Sequence, residues 1–343
     1  MKTAKLKTLL IDLEPAVLKS DEIPILKTIC ITNDRILSYN TIIGCCVFTD
    51  LFSDWDSAVC VPFMKLKTFI NGAPSEDIEF KFDEDILSLK SGNSSAKLPL
   101  EPADDFPDFT DLVEKSKQSS NSITDDFVRG LKACLPFTAK RSSRIVLQGI
   151  HVAGNEVIST DGIKIALYQI SECQLEKDLN FTIPFEMGKV LKGSDSIYFD
   201  DEKIAIVNGN VIYFSGLLSG DFPDVTKYFP KVKKFIHFPK DEMKVALKKV
   251  GDFSEEGLED AECELSFEDG IQIKYLGNVA QVEEYFDFGG KLPNQKFKLN
   301  PYHFEKILQY CDRFAFVERD SLDILYAVSD NGKFKCLLSL DRV

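Results

Sequence analysis

Histidine, methionine and tryptophan are scarce in this chain of 343 residues, which holds three, four and one of them. The histidines, His151, His237 and His303, are scattered, and no His-Glu-x-x-His, no Cys-x-x-Cys and no G-x-x-x-x-G-K-[ST] run is present. Those absences argue against a zinc hydrolase, a thiol-redox centre and a P-loop enzyme, because each chemistry needs its ligands or backbone N–H groups at those spacings. Ser94-x-x-Lys97 has a serine–lysine catalytic spacing but falls in a strand-like run, where residues three apart point to opposite faces. Asp200-Asp201-Glu202 reads as a hairpin turn rather than a metal site. Neither a metal nor a cofactor is expected. No apolar run reaches the ~20 residues that span a bilayer, and the first residues lack the apolar block of an export signal. The nine cysteines are odd in number and Cys45-Cys46 are adjacent, so reduced core thiols in a cytoplasmic protein are expected. A surplus of base is missing as well. Lysine and arginine number 41 against 55 acids, a net charge of −14, which excludes a generally sticky nucleic-acid coat but not a local basic surface.

What is present repeats. Ile183-Pro184-Phe185 opens a short amphipathic segment with Met187, Val190 and Leu191 on one side and Lys189 and Lys192 on the other. Strand-like runs at 196–199, 203–207 and 211–214 follow, and Phe222-Pro223-Asp224 closes the stretch. Val61-Pro62-Phe63 and Phe106-Pro107-Asp108 give the same order about a third of the chain earlier. Leu299-Asn300-Pro301-Tyr302 opens a weaker copy as far downstream. A period near one third means three copies of one supersecondary unit. Domain boundaries are expected at 1–118, 119–233 and 234–343.

Apolar periodicity locates two helices per third within an α+β architecture. Leu6, Leu9, Leu10 and Leu13 mark the first, which Pro15 ends. Phe63, Leu66 and Ile70 mark the second. Thr124-Asp125-Asp126 caps the third, and the segment after Pro184 is the fourth. Pro239 starts the fifth, with Met243, Ala246, Leu247 and Val250 inward; Phe304, Ile307, Leu308 and Cys311 line the sixth. About eight strands fill each third, including runs at 77–83 and 85–98, while residues 112–122 read as a solvated linker.

All six helices carry bases off the apolar stripe or just beyond it: Lys5, Lys65, Lys67, Arg129, Lys132, Lys140, Arg141, Lys189, Lys192, Lys240, Lys244, Lys248 and Lys306. Acids concentrate in loops and strands instead. On one helix this is an ordinary solvated face. On six helices in repeated positions it points to a shared polyanion. Duplex DNA fits, since phosphate contact is independent of sequence, and few aromatics interleave for single-strand stacking.

In order and spacing the chain resembles the bacterial DNA polymerase sliding clamp, the beta subunit family. The residues that carry the likeness are Ile23-Pro24-Ile25-Leu26, Val61-Pro62, Leu89-Lys90-Ser91-Gly92-Asn93-Ser94 and Ala103-Asp104-Asp105-Phe106-Pro107. Leu147-Gln148-Gly149-Ile150-His151, Ser159-Thr160-Asp161-Gly162, Gly220-Asp221-Phe222-Pro223-Asp224 and Phe297-Lys298-Leu299-Asn300-Pro301-Tyr302 continue it. The resemblance implies three clamp-type domains per chain, helices on the inner face and antiparallel sheets outside. It implies a homodimer ring around double-stranded DNA that tethers a DNA polymerase and has a clamp loader as a candidate partner, with no catalysis and no membrane. A monomeric DNA-binding processivity factor that never closes a ring is the alternative.

The resemblance also implies a partner-peptide pocket at Thr160, Gly162, Ile163, Lys164, Ile165 and Pro230, with Leu337, Leu338 and Leu340 from the last strand. Ile163 and Lys164 stand where the family often has histidine and arginine. The chain ends Ser339-Leu340-Asp341-Arg342-Val343 rather than in a methionine–proline tail. At the implied subunit interface, Ala96 stands where a large aromatic is usual, beside Leu98, and Phe253 matches an apolar residue of the partner's third domain. These departures suggest a bacteriophage or a distant bacterial lineage.

Overall fold

The computed structural model describes the chain except residues 56, 84, 120, 172–178, 192–195, 268–269, 289–295, 319–322 and 343, and the side chain of Arg342. Lys192 therefore lies outside the described residues. The first third contains α1 (Thr3–Leu13), β1 (Thr28–Ile31), β2 (Arg35–Tyr39), β3 (Ile43–Phe48), β4 (Val59–Pro62), α2 (Phe63–Asn71), β5 (Glu79–Asp83), β6 (Ile86–Ser91), β7 (Ser94–Pro99), β8 (Glu101–Pro102) and α3 (Thr110–Lys117). The middle third contains α4 (Asp125–Cys134), β9 (Gly149–Ala153), β10 (Glu156–Thr160), β11 (Lys164–Gln169), β12 (Asn180–Pro184), α5 (Phe185–Val190), β13 (Ser196–Phe199), β14 (Lys203–Asn208) and β15 (Val211–Gly216). The last contains α6 (Lys240–Phe253), β16 (Cys263–Ser266), β17 (Ile271–Leu276), β18 (Gln281–Phe286), β19 (Lys296–Leu299), α7 (Pro301–Tyr310), β20 (Arg313–Val317), β21 (Asp323–Val328) and β22 (Phe334–Arg342).

Two compact units emerge, and the middle third contributes to both. Unit 1 is Met1–Val128 with Glu186–Leu217, and unit 2 is Arg129–Phe185 with Leu218–Val343. Unit 1 holds an antiparallel sheet in the order β13-β14-β15-β3-β2-β1-β4-β8, and a separate sheet β5-β6-β7. The joint of the large sheet sets Val211 opposite Val47 and Tyr213 opposite Cys45. In unit 2 the path is β12-β9-β10-β11-β22-β19-β16-β17-β18, with β21 on β22 and β20 on β21. Its joint pairs Ile165 with Leu337 and Lys164 with Leu338.

The repeat has a structural counterpart in each third. β4 ends at Pro62 where α2 begins, β12 ends at Pro184 where α5 begins, and β19 ends at Leu299 just before α7. A proline tolerates a strand end or a first helical turn because its missing N–H is not needed there. The Asn300 side chain caps α7 by accepting the His303 N–H at 3.1 Å. Leu6, Leu9, Leu10 and Leu13 of α1 are buried, as are Phe63, Leu66 and Ile70 of α2. Pro15 lies in a 3-10 turn at Glu14–Ala16 that ends α1.

The Phe-Pro-Asp repeat makes the same turn twice. Asp108 Oδ1 accepts the Thr110 N–H at 2.9 Å, and Asp224 Oδ1 accepts the Thr226 N–H at 3.1 Å. The two turns lead into different structures. After Thr110 comes α3, which seats Leu112 and Val113 on Cys46, Ala205, Ile212 and Phe214, across the β3–β15 joint. Val113 is fully buried, which is worth about 2 kcal/mol. After Thr226 the chain makes one 3-10 turn, Thr226–Tyr228, and continues as an extended connector to Pro239.

Two expectations need correction. The linker expected at 112–122 is helical to Lys117. Its apolar signal is only two adjacent residues, and Ser116, polar by type, is fully buried with its hydroxyl donating to the Leu112 carbonyl at 2.6 Å. The run at 85–98 is two strands turned at Gly92, whose φ of +54° suits glycine.

Candidate functional site

The turn joining β10 to β11 is built by one carboxylate and one hydroxyl. Asp161 Oδ1 accepts the N–H groups of Ile163 and Lys164, both at 2.9 Å. Thr160 Oγ1 accepts the Gly162 N–H at 3.1 Å and donates to the Lys164 carbonyl at 2.7 Å. Gly162 takes a φ of +95°, a conformation costly for a residue with a Cβ. Ile163 is left exposed, and its carbonyl accepts the Ser339 N–H at 3.1 Å and hydroxyl at 2.8 Å.

Lys164 turns inward. Its Nζ lies 2.7 Å from Asp161 Oδ2 and 2.7 Å from His303 Nε2, and only 5% of its side chain is exposed. Burial lowers the Lys164 pKa and the Asp161 charge opposes it. Burial first, then the Lys164 charge, holds the His303 pKa down at about 4. A neutral imidazole there can accept from the ammonium, so the three side chains tie the turn to α7.

Strand alternation sorts the remaining pocket candidates. Ile165 and Leu337 are partners in the joint and share one face. That face continues through Ile324, Tyr326 and Val328, with Phe229, Val232 and Phe235 of the connector packed on it. Ile158, Leu167 and Val225 extend it, with Phe222 alongside. Leu338 and Leu340 alternate with Leu337, so they occupy the other face of β22, and both are buried. Pro230 is half-buried in the connector. The structure thus brings together Ile165, Leu337 and the connector, while Thr160 and Lys164 are buried in the turn.

Phe229, Phe235 and Phe222 belong to this face and were not among the sequence-derived candidates. The signal was available: Phe222-x-x-Val225-x-x-x-Phe229-x-x-Val232-x-x-Phe235 repeats an apolar residue every three or four positions. Phe222 also stacks on His151 at 4.4 Å between ring centres. His151 Nδ1 lies 3.0 Å from Thr182 Oγ1, and burial lowers its pKa to about 4.

The basic candidates fall into two groups. Lys5 pairs with Asp50 at 2.9 Å, Lys67 with Glu14, Lys240 with Asp312, Lys244 with Asp241 at 3.6 Å and Lys306 with Glu305 at 2.9 Å. Lys140 reaches both Glu259 at 3.2 Å and Asp260 at 3.4 Å. In contrast Lys65, Arg129, Lys132, Arg141 and Lys248 are exposed and form no ion pair among the described residues. Lys189 is exposed.

Each unit also ends a sheet on an open strand: β7 in unit 1 and β18 in unit 2. On β7, Ala96 is half-buried opposite Leu89, and Leu98 is buried opposite Leu87. In unit 2, Phe253 at the end of α6 is 49% exposed, and Val279 and Tyr285 on the β17–β18 hairpin are 82% and 58% exposed. No group of metal-ligating side chains occurs among the described residues, and none of their helices is long and apolar enough to cross a membrane.

No family profile matches the chain. A curated protein of Pseudomonas putida named "Beta sliding clamp" is 29% identical over 188 residues, 50% of each chain. A Helicobacter pylori protein of the same name is 25% identical over 182 residues. The chain spans about half the length of these curated relatives. In fold the likeness is complete. The beta subunit from DNA polymerase of Streptococcus pyogenes superposes at a TM-score of 0.78 and 17% identity, covering 100% of this chain and 99% of that one. The DnaN sliding clamp of Pseudomonas aeruginosa, solved with griselimycin bound, superposes at 0.77 and 19% identity over 100% and 98%. The chain has the DNA clamp fold from end to end.

Proposed function

We propose that this chain is a non-catalytic processivity subunit of a DNA polymerase, a sliding clamp that two copies close into a ring around duplex DNA. The observation that carries the reading is the clamp fold running through the whole chain. Closure has a physical basis in two of the edge strands, β7 and β18. An unpaired strand edge is a template for another backbone. β7 of one copy against β18 of another would join two such edges. Ala96, Leu98 and Phe253 stand at this joint in the reading, with domain boundaries at 1–118, 119–233 and 234–343.

The exposed cations of the helices supply phosphate contact without register, which permits sliding. Lys65, Arg129, Lys132, Arg141 and Lys248 act first, because Lys5, Lys67, Lys140, Lys240, Lys244 and Lys306 already have carboxylate partners. Polymerase and loader dock through a short peptide at Ile163, Ile165, Pro230 and Leu337. In unit 2 the connector leaves Ile165, Phe229, Val232 and Phe235 half-buried beside the joint, which supports that choice. The protein works in the cytoplasm, where a polymerase meets its template.

Primer extension on a long singly primed template tests the proposal. Added protein should lengthen products per binding event, and light scattering should give a dimer. Short products with a dimer would refute the polymerase role. Long products with a stable monomer would replace the ring by a non-encircling factor.

A further inference from the structure

We propose that the fork between the connector and β20 is a second peptide site in unit 2, which takes an extended acidic segment as an added strand. Ile236 and Phe314 exchange both backbone hydrogen bonds, at 2.8 and 2.9 Å, in an isolated antiparallel bridge. Beyond that bridge the connector and β20 part. They leave a cleft of about 560 Å³ lined by Val232, Lys234 and Ile236 on one side and Ala315, Phe316 and Val317 on the other. Antiparallel backbone groups alternate in direction. Since Phe314 bonds outward to Ile236, Phe316 also turns its N–H and C=O outward, away from β21, and has no backbone partner there among the described residues. On the opposite arm Lys234 lines the cleft.

A fork with apolar walls and available main-chain groups suits strand addition, in which hydrogen bonds give affinity and alternate side chains give choice. Charge selects the occupant. Lys227, Lys231, Lys233 and Lys234 are all exposed and make no ion pair among the described residues, in a chain whose net charge is −14. Glu318 lines the cleft as well and offsets Lys234 there, but the connector from 227 to 239 carries four lysines and no acid, so that arm is net positive. An acidic partner is attracted where this acidic chain otherwise repels it. The site adjoins the Ile165–Leu337 hollow, with Val232 and Val317 common to both, but it opens at the outer edge of the sheet, beyond β21, and does not depend on the clamp reading.

The test uses the full chain and a fluorescein-labelled decapeptide of alternating valine and threonine with two aspartates at each end. Saturable binding is expected by anisotropy. Lys231→Glu, Lys233→Glu and Lys234→Glu together should weaken it about tenfold or more. N-methylation of the central peptide amides should weaken it about tenfold by removing main-chain donors. Hydrogen exchange at the Phe316 amide should slow on binding. Ile165→Asp should leave all of this unchanged. No saturable binding overturns the proposal, as does binding that depends on the lysines but not on the peptide amides or the Phe316 exchange. Loss of binding in Ile165→Asp would put the peptide in the hollow instead.

Discussion

Acidification should loosen unit 2 through His151. The ring is 9% exposed, bonded to Thr182 and stacked on Phe222, so a proton added there loses its hydration. Its pKa falls from the ordinary 6.5 to about 4 in the folded state. The unfolded chain therefore takes up the proton first. The stabilisation is present above pH 6.5 and is lost as the pH falls from there toward 4. Between pH 7 and pH 5 the linkage relation gives a loss of about 2 kcal/mol. A protonated ring would recover part of this against the face of Phe222, which leaves roughly 1–2 kcal/mol. Urea unfolding of the chain and of His151→Gln at both pH values measures it. The parent should lose that much more than the variant. His303 contributes to both proteins in the same direction and cancels in the difference. Equal losses in the two proteins would refute the claim that the buried neutral ring is what responds to pH.

Three further outcomes are expected. Ile165→Asp, at a half-buried position, should leave the chain folded and abolish stimulation of the polymerase, whereas Leu340→Asp should cost about 3 kcal/mol or more and be seen first as a lower melting temperature. Lys132→Glu and Lys248→Glu should each reduce the salt dependence of DNA retention by about one unit of slope, while Lys140→Glu, already held by Glu259 and Asp260, should do less; equal effects would show that the ion pairs do not matter. Phe253→Asp should shift sedimentation toward the monomer, and an unchanged dimer would place the joint elsewhere.

The helices were legible because their signals are local. Leu6, Leu9, Leu10 and Leu13 lie on one stripe, and Asn300-Pro301 marks a start by its own chemistry. The threefold repeat was legible for the same reason, since each strand-to-helix passage keeps its proline. α3 was missed because its burial is non-local. Leu112 and Val113 are covered only once β15 has paired with β3, and nothing within 112–122 announces that. Lys164 obeys the same logic. Its residue type predicts a solvated ammonium, but His303 arrives from far along the chain to complete its site. The apolar face beside the joint was half legible. Ile165 and Leu337 meet, but the parity that separates Leu338 and Leu340 from them is set by the register of β22 against β11. The ion pairs that occupy Lys67, Lys140 and Lys240 also join distant residues and left no local mark.

The way both long sheets run through the middle third restricts how this protein can be cut. A fragment covering 119–233 would leave with β11 and β15 stripped of β22 and β3, two raw rims with nothing to lie against. Such a piece would precipitate or seize a neighbour rather than stand alone. Swapping one third for that of a relative would succeed only if the donor's border strands kept the same register, so the tailor's choice is whole cloth or matched seams.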